Sequence, residues 1–316
     1  MTSFFNPAGP VAAAQAHLIE LMVGLMLIIV VPMFILLFTF ARRYRAGNKK
    51  LTAKDYEPEH ASRAAWSQLV LWAIPAALIV VLGVLNWQSA HALDPQHSLD
   101  PSASAVAAGD GAPLVIEVVA LPWKWLFIYP AQNIATVNII KFPAGEPVHF
   151  ELTADAPMSS FWIPQLGSQI YAMAAMMTQL NLLASTTGEY TGRDTEINGE
   201  GYAGMTFEAD SVTPGDFAAW VAEVQGSVAG AATSTSTSTP LTYPPLTLDI
   251  YNALAAPSEN NPVAYYSSVA PGLFGGVMMK YMMPMPGMNM TTGTMIIATS
   301  STDSSGTMQG MPGMEM

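Results

Sequence analysis

The sequence predicts a membrane α plus all-β protein: a two-helix transmembrane hairpin followed by an outer β-sandwich, with short C-terminal helices. Three observations predict it. Leu21–Phe40 and Ala64–Ala90 are uncharged and apolar over lengths that cross a bilayer. Seven of the eleven Lys and Arg lie in or beside the loop that joins them. After residue 113 the pattern changes to short runs rich in β-branched and aromatic residues. With 51% hydrophobic and 11% charged residues in 316, the chain is too apolar for an ordinary soluble domain and fits an anchor plus a folded outer part.

Residues 1–16 read as an outer N-terminal segment and 17–42 as the first span, whose twenty-residue centre rises about 30 Å as a helix. The second span, 64–90, carries Trp66, Trp72 and Trp87 for interfaces or packing. Pro32 and Pro75 lie inside the spans; neighbouring helices or waters satisfy the carbonyls they free, so each is read as a kink. A cleavable signal peptide is disfavoured. The first ten residues hold no Lys or Arg, the apolar run exceeds a signal core, and its basic flank follows it. The loop 43–63 with its immediate flank carries Arg42, Arg43, Arg45, Lys49, Lys50, Lys54 and Arg63. Short basic loops stay in the cytoplasm, which places both termini and the main domain outside.

Beyond Trp87 four bases face nineteen acids. That balance excludes nucleic acid as a partner, whose phosphates need Lys and Arg, and does not make a polybasic lipid-binding surface. The chain has no cysteine, so disulfides, iron–sulfur clusters and thiolate-held zinc are excluded.

Segment 91–113, rich in Pro, Ser and Ala, reads as a linker. In the domain 114–212, Leu114–Ala120, Trp125–Tyr129, Thr136–Phe142, Pro147–Thr153, Thr178–Ser185 and Gly204–Ala209 predict six strands of an antiparallel sandwich or barrel. Thr213-Pro-Gly-Asp216 opens a helix over 213–228, with a capping oxygen, Pro in the first turn and an acid three residues on. Phe217, Trp220, Val221 and Val224 give it one apolar stripe. Residues 229–245, with their Ser-Thr alternation, read as a low-complexity linker. A helical extension, 246–290, starts with a short helix over Leu246–Ala255 ended by Pro257. Twelve of the twenty-one methionines fall in the last thirty-nine residues, and 291–316 is expected to be a Met-rich disordered tail because it has too little bulky apolar surface to pack.

Two stretches carry the functional reading. Asp194-Thr-Glu-Ile-Asn-Gly-Glu-Gly-Tyr-Ala-Gly-Met205 sits where an outer β-domain would place a metal loop, yet holds almost no metal ligands. Met158-Ser-Ser-Phe-Trp-Ile-Pro-Gln-Leu-Gly167 is a run that a folded sandwich would bring beside it.

Trp123-Lys-Trp-Leu-Phe-Ile-Tyr-Pro130, Ile134-Ala-Thr-Val-Asn138 and Phe161-Trp-Ile-Pro-Gln-Leu-Gly-Ser-Gln-Ile-Tyr-Ala-Met173 resemble subunit II of the bacterial cytochrome bo-type (haem-copper) ubiquinol oxidases. The resemblance covers His17 to Ala229 and resumes over Ala253–Met282. It implies a periplasmic cupredoxin-like sandwich lacking copper, on a two-span anchor in a bacterial inner membrane. That family is in turn similar to subunit II of cytochrome c oxidases, whose sandwich holds a dicopper centre of bridging thiolates, terminal imidazoles and a weak thioether.

Set against that centre, Ser159 takes the first His place, Asp194 and Asn198 the bridging cysteine places, and Tyr202 the second His place. Glu196, whose counterpart gives a backbone carbonyl, and Met205 match. The resemblance therefore implies no catalytic, cofactor-binding or metal-binding residue in this chain. Haems, copper and ubiquinone are expected in subunit I, with a lipid-soluble quinol as reductant and cytochrome c not expected as a partner. The chain's work would be to pack against subunit I and the other subunits of a proton-pumping oxidase, in the lipid bilayer. The family places a Glu seven residues before the Pro of the second span, near a proton-uptake route. Gln68 stands there, before Pro75, and a neutral amide does not titrate, so proton uptake uses another group or that role is lost.

Trp123, Trp125, Phe161 and Trp162 are expected to pack. His17, His60, His91, His97 and His149 show no paired ligand spacing and read as surface or interface residues, and Glu20 as an interfacial charge. Two other readings stand beside this one. The first is a copper-binding protein using the thioethers of the Met-rich tail, which suit copper(I). The second is a cytochrome c oxidase subunit with an unusual route for electrons.

Overall fold

The computed structural model describes residues 6–45, 61–95, 113–226 and 243–282. Most of the basic loop (46–60), most of both linkers (96–112 and 227–242), the end of the expected helical extension (283–290) and the Met-rich tail with its expected disorder (291–316) lie outside the described residues.

Two long helices come first, α1 (Pro10–Arg43) and α2 (Ala61–Ala92). Both are long and apolar enough to cross a bilayer, with mean hydropathy of 3.0 in the first and 2.4 over Gln68–Ala92 in the second. Pro10 occupies the first turn of α1, where its missing N–H leaves no orphan donor, and Arg42 and Arg43 close the last turn. Pro32 and Pro75 leave both helices continuous. At 34 residues α1 measures about 51 Å, well beyond the ~30 Å of a hydrocarbon core. Its surplus is spent on the sandwich, for Val11, Ala12 and Ala16 are buried.

The sandwich has eleven strands where six were expected. They are β1 (Leu114–Leu121), β2 (Lys124–Tyr129), β3 (Ile134–Val137), β4 (Ile139–Pro143), β5 (Pro147–Ala154), β6 (Ser159–Ile163), β7 (Gly167–Ala172), β8 (Thr178–Leu183), β9 (Gly188–Asp194), β10 (Thr206–Val212) and β11 (Ala264–Tyr266). One sheet runs β11-β3-β2-β1-β5-β8 and the other β4-β10-β9-β6-β7. The pairing is mixed rather than purely antiparallel, since β1 with β5 and β4 with β10 are parallel.

The run Thr136–Phe142 divides at Asn138, whose φ of 57° is a left-handed conformation that Asn tolerates. β3 therefore stays in the first sheet while β4 crosses to the second. The corner is pinned: Asn138 Oδ1 accepts from Trp125 N at 2.9 Å and Nδ2 donates to Asn261 O at 2.9 Å. β9 escaped a sequence reading because of Gly188 and Gly192. A Cβ on Gly192 would sit 2.0 Å from the Phe207 ring, so that glycine is a packing requirement.

Between the sheets lie Trp125, Phe127, Phe150, Phe161 and Phe207, all buried. Phe161 and Phe207 stack at 5.0 Å, and Trp125 meets them edge-on at 5.4 and 5.8 Å. Each such pair adds about 0.5–1.5 kcal/mol to the burial of its rings. On the opposite face of the first sheet, Val119, Leu121, Leu126, Ile128 and Val137 are covered by Leu246, Tyr251, Leu273, Phe274 and Val277. The covering layer holds α4 (Leu248–Leu254) and α5 (Leu273–Met279). Buried on both faces, all six residues of β2 are inaccessible. α3 (Pro214–Val224) packs at the edge, with Trp220 5.6 Å from Tyr129, and Thr213 caps it by accepting from Asp216 N at 3.2 Å.

Two buried charges bind the C-terminal layer to the sheet. Lys124, 1% exposed, donates from Nζ to Leu254 O at 2.8 Å, to Ala256 O at 2.9 Å and to Ser258 Oγ. Asp155 accepts from Tyr251 Oη at 2.7 Å, from Lys280 Nζ at 2.7 Å and from Tyr281 Oη. Burial pushes the Asp155 carboxyl up, but the donors from Lys280, Tyr281 and Tyr251 outweigh it and hold the group below its ordinary value.

The edge strand β8 is tied to the residues just after α2, and the chain just beyond β8 and the β6–β7 turn are tied to the residues just before α1. Ser185 N donates to Ala8 O at 2.8 Å, Ala8 N to Gln165 O at 2.8 Å, and Asn181 N to Pro95 O at 3.0 Å. Gly9 and Gly167 permit this approach: a Cβ on Gly9 would lie 2.3 Å from Leu183 O, and Gly167 has φ +89° with Ala12 N 2.8 Å from its Cβ position.

Candidate functional site

Antiparallel pairing of β6 with β9, in which Phe161 faces Asp194, sets the two stretches singled out in the sequence side by side. The loop after β9 closes through a 3₁₀ turn, Glu200–Gly204, and returns as β10; Asp194 N donates to Met205 O at 3.0 Å across its neck. Four of the six positions set against the dicopper ligands meet here, Ser159 from β6 with Asp194, Asn198 and Met205.

Asp194 is 3% exposed. Its Oδ1 accepts from Ser160 N at 2.7 Å and from Glu196 N at 3.0 Å, and its Oδ2 accepts from Asn198 Nδ2 at 2.7 Å. The same Nδ2 lies 2.8 Å from Ser159 Oγ and 3.6 Å from Met205 Sδ. An amide nitrogen carries two hydrogens, so Asp194 and Ser159 take both and the thioether is a lateral contact. Asn198 is thus the hub of the cluster. Its Oδ1 is buried with no hydrogen-bond partner. Burial drives the Asp194 carboxyl upward; the amides of Glu196, Ser160 and Thr195 and the Ser159 hydroxyl offset part of this, and the net result lies above the ordinary value.

The remaining two positions stand apart. Glu196 contributes its backbone N–H, and Tyr202 is half-buried in the 3₁₀ turn with no side-chain hydrogen bond to the cluster. The sequence reading missed the lid. Trp123 adopts φ 61° and lays its indole on the loop backbone, so close that a Cβ on Gly201 would fall 2.5 Å from the ring and one on Gly199 3.1 Å. The pair of glycines flanking Glu200 was the available signal.

Residues 243–285, which contain α4, β11 and α5, match the COX Aromatic Rich Motif. Over 281 residues the chain is 44% identical to the cytochrome bo(3) ubiquinol oxidase subunit 2 of Pseudomonas putida, covering 88% of this chain and 80% of that one. The chain belongs to the ubiquinol oxidase subunit 2 family. A second member, the ubiquinol oxidase subunit 2 of Acetobacter aceti, is 40% identical over 293 residues, 92% of this chain and 86% of the other. The crystal structure of the periplasmic domain of cytochrome oxidase subunit II from Bradyrhizobium japonicum overlaps 37% of this chain and 94% of its own length, at 22% identity and a TM-score of 0.34, too loosely to align residues by.

A dicopper centre does not fit the donor set of this chain. The converging groups are a carboxylate, an amide, a hydroxyl and one thioether, and the amide already joins the other three. Two soft metals bridged by thiolates need sulfur and imidazole, and the chain has no cysteine. Among the described residues no group of three His, Asp or Glu is placed to hold a metal ion.

Trp125 and Phe161 sit in the core, whereas Trp162 is half-buried on the other side of β6. His149 is half-buried, with Nδ1 2.8 Å from Asn181 Oδ1 and Nε2 3.7 Å from Glu151 Oε1. Gln68 is exposed on α2, two turns before Pro75.

Proposed function

We propose that this chain is the non-redox structural subunit 2 of a proton-pumping terminal oxidase that carries electrons from ubiquinol to oxygen. The observation that carries the reading is the Asn198 hub: the loop is closed on itself by hydrogen bonds among groups that do not bind a soft dicopper pair. A large soluble donor such as cytochrome c needs an electron relay outside the bilayer, whereas a lipid-soluble quinol reaches the membrane part of the complex directly. Haems, copper and ubiquinone then belong to subunit I. The positions Ser159, Asp194, Glu196, Asn198, Tyr202 and Met205 serve loop structure, and Gln68 marks a proton-uptake position without a titrating group.

The mechanical role follows from where the apolar surface lies. Phe34, Leu37, Leu71, Trp72 and Ile79 are exposed along α1 and α2 and need lipid or the helices of subunit I to cover them. The basic loop sets the hairpin with its turn in the cytoplasm and the sandwich in the periplasm. The ties from Ala8 and Pro95 to β8 and the residues just after it hold that sandwich over the complex.

Oxygen uptake by the purified complex tests this directly. Rapid uptake with ubiquinol and none with reduced cytochrome c is expected; turnover with reduced cytochrome c and little with ubiquinol would overturn the proposal.

A further inference from the structure

The C-terminal layer stops short of covering the whole outer face of the first sheet, and a carboxyl group stands at the boundary. Glu117 of β1 lines a cavity of about 210 Å³ with Ile128, Asn133, Pro271, Leu273 and Phe274, beneath the segment 269–275, which is a loop and the first residues of α5. That roof is tied at its entry by Val269 N donating to Asn133 Oδ1 at 3.2 Å and Ala270 N donating to Leu246 O at 3.0 Å, and beyond it Leu273 and Phe274 are buried against the sheet. In the parallel ladder Glu117 pairs with Glu151, so two carboxyl groups stand next to each other on one face.

Among the described residues no cation stands between them. From β5 come Glu151 and, beyond it, His149, whose Nε2 is 3.7 Å from Glu151 Oε1. β2 presents Ile128 and Tyr129, whose hydroxyl donates to Lys141 O at 3.0 Å, the turn after it the neutral Asn133, and the segment 269–275 has no titratable side chain. Lys280 and Tyr281, after the far end of α5, are engaged by Asp155. Lys124, further along β2, is bonded to the carbonyls that end α4.

We propose that Glu117 is a proton-operated latch on the C-terminal layer: protonated, it lets the segment 269–275 and the rest of α5 close over β1 and β2, and deprotonated beside Glu151 it favours opening of that roof. Burial, with Glu151 adding to it, raises the Glu117 carboxyl from 4.5 to about 7 in the closed form. Opening returns it toward the ordinary value. The closed form therefore binds the proton more tightly, and closure weakens as pH rises from the ordinary value to about 7, then levels off.

Hydrogen–deuterium exchange of the full-length protein in detergent tests the latch, read on peptides covering 264–282 between pH 5 and 8.5 and corrected for the intrinsic pH dependence of exchange. Protection is expected to fall with rising pH, by at most about tenfold per unit for a single proton, and to flatten above neutrality. Glu117→Gln keeps the low-pH protection throughout, and Glu151→Gln moves the flattening to lower pH. Wild-type protection independent of pH, or a Glu117→Gln profile that follows wild type, would overturn the proposal; a Glu151→Gln profile superimposed on wild type would overturn the part given to the carboxyl pair.

Discussion

Asn198 shows how one side chain takes over the work of tying a loop. Its amide joins Asp194 of β9 to Ser159 of β6 and touches Met205 at the start of β10, so three strand ends are fixed by one group. Asn198→Ala removes both donors and leaves a buried carboxylate and hydroxyl under-satisfied, a loss of about 1–3 kcal/mol. Urea unfolding of the variant checks this, and an unchanged midpoint would show the hub to be dispensable. Asp155 is the second residue with a calculable consequence. Its carboxyl is held below its ordinary value, so its contribution is present above that value and is lost as pH falls through the still lower folded one. Asp155→Asn is expected to be less stable at neutral pH, by roughly 1.5–3 kcal/mol, and the gap to wild type should narrow on acidification. Melting curves across pH decide it. Asn198 and the positions around it were legible in the sequence as places set against a ligand set. Asp155 was not, because it meets Lys280 and Tyr281 across a separation of 125 residues or more, and no local pattern reports such a contact.

Periodicity identified the two long helices, the Thr213 cap and strands such as β1 and β5, where hydrophobic residues dominate. It failed where a strand was polar or rich in glycine. β6, β7 and β9 contain Ser159, Ser160, Gly167, Ser168, Gly188 and Gly192, which read as loop, yet they form the greater part of the second sheet. Tertiary packing overrides propensity there: Phe207 lies against Gly192 and Ala12 against Gly167. The attachment of α1 to the sandwich was likewise hidden, because it depends on glycines with nothing periodic about them. Gly9→Val tests it, since the added Cβ would meet the Leu183 carbonyl at 2.3 Å and backbone cannot yield cheaply. We expect the variant to lose the protection of β8 amides from hydrogen exchange while the sandwich core stays folded. Unaltered protection at β8 would mean that α1 is not fastened there.

At the scale of the whole molecule, hydropathy and charge placed a membrane hairpin under a β-domain, and the ligand positions Ser159, Asp194, Asn198 and Met205 were brought together by the pairing of β6, β9 and β10. What composition could not supply was the three-layer build, in which sequence-distant residues 243–282 roof the first sheet and satisfy Lys124 and Asp155. That roof makes the C-terminal segment part of the fold. In the proposed reading the sandwich serves as a cap carried on two spans and is not itself an electron carrier. Near-infrared absorption of the oxidised, purified complex tests that claim most directly: the account predicts no band from a mixed-valence copper pair, and such a band, lost on Met205→Ala, would contradict it.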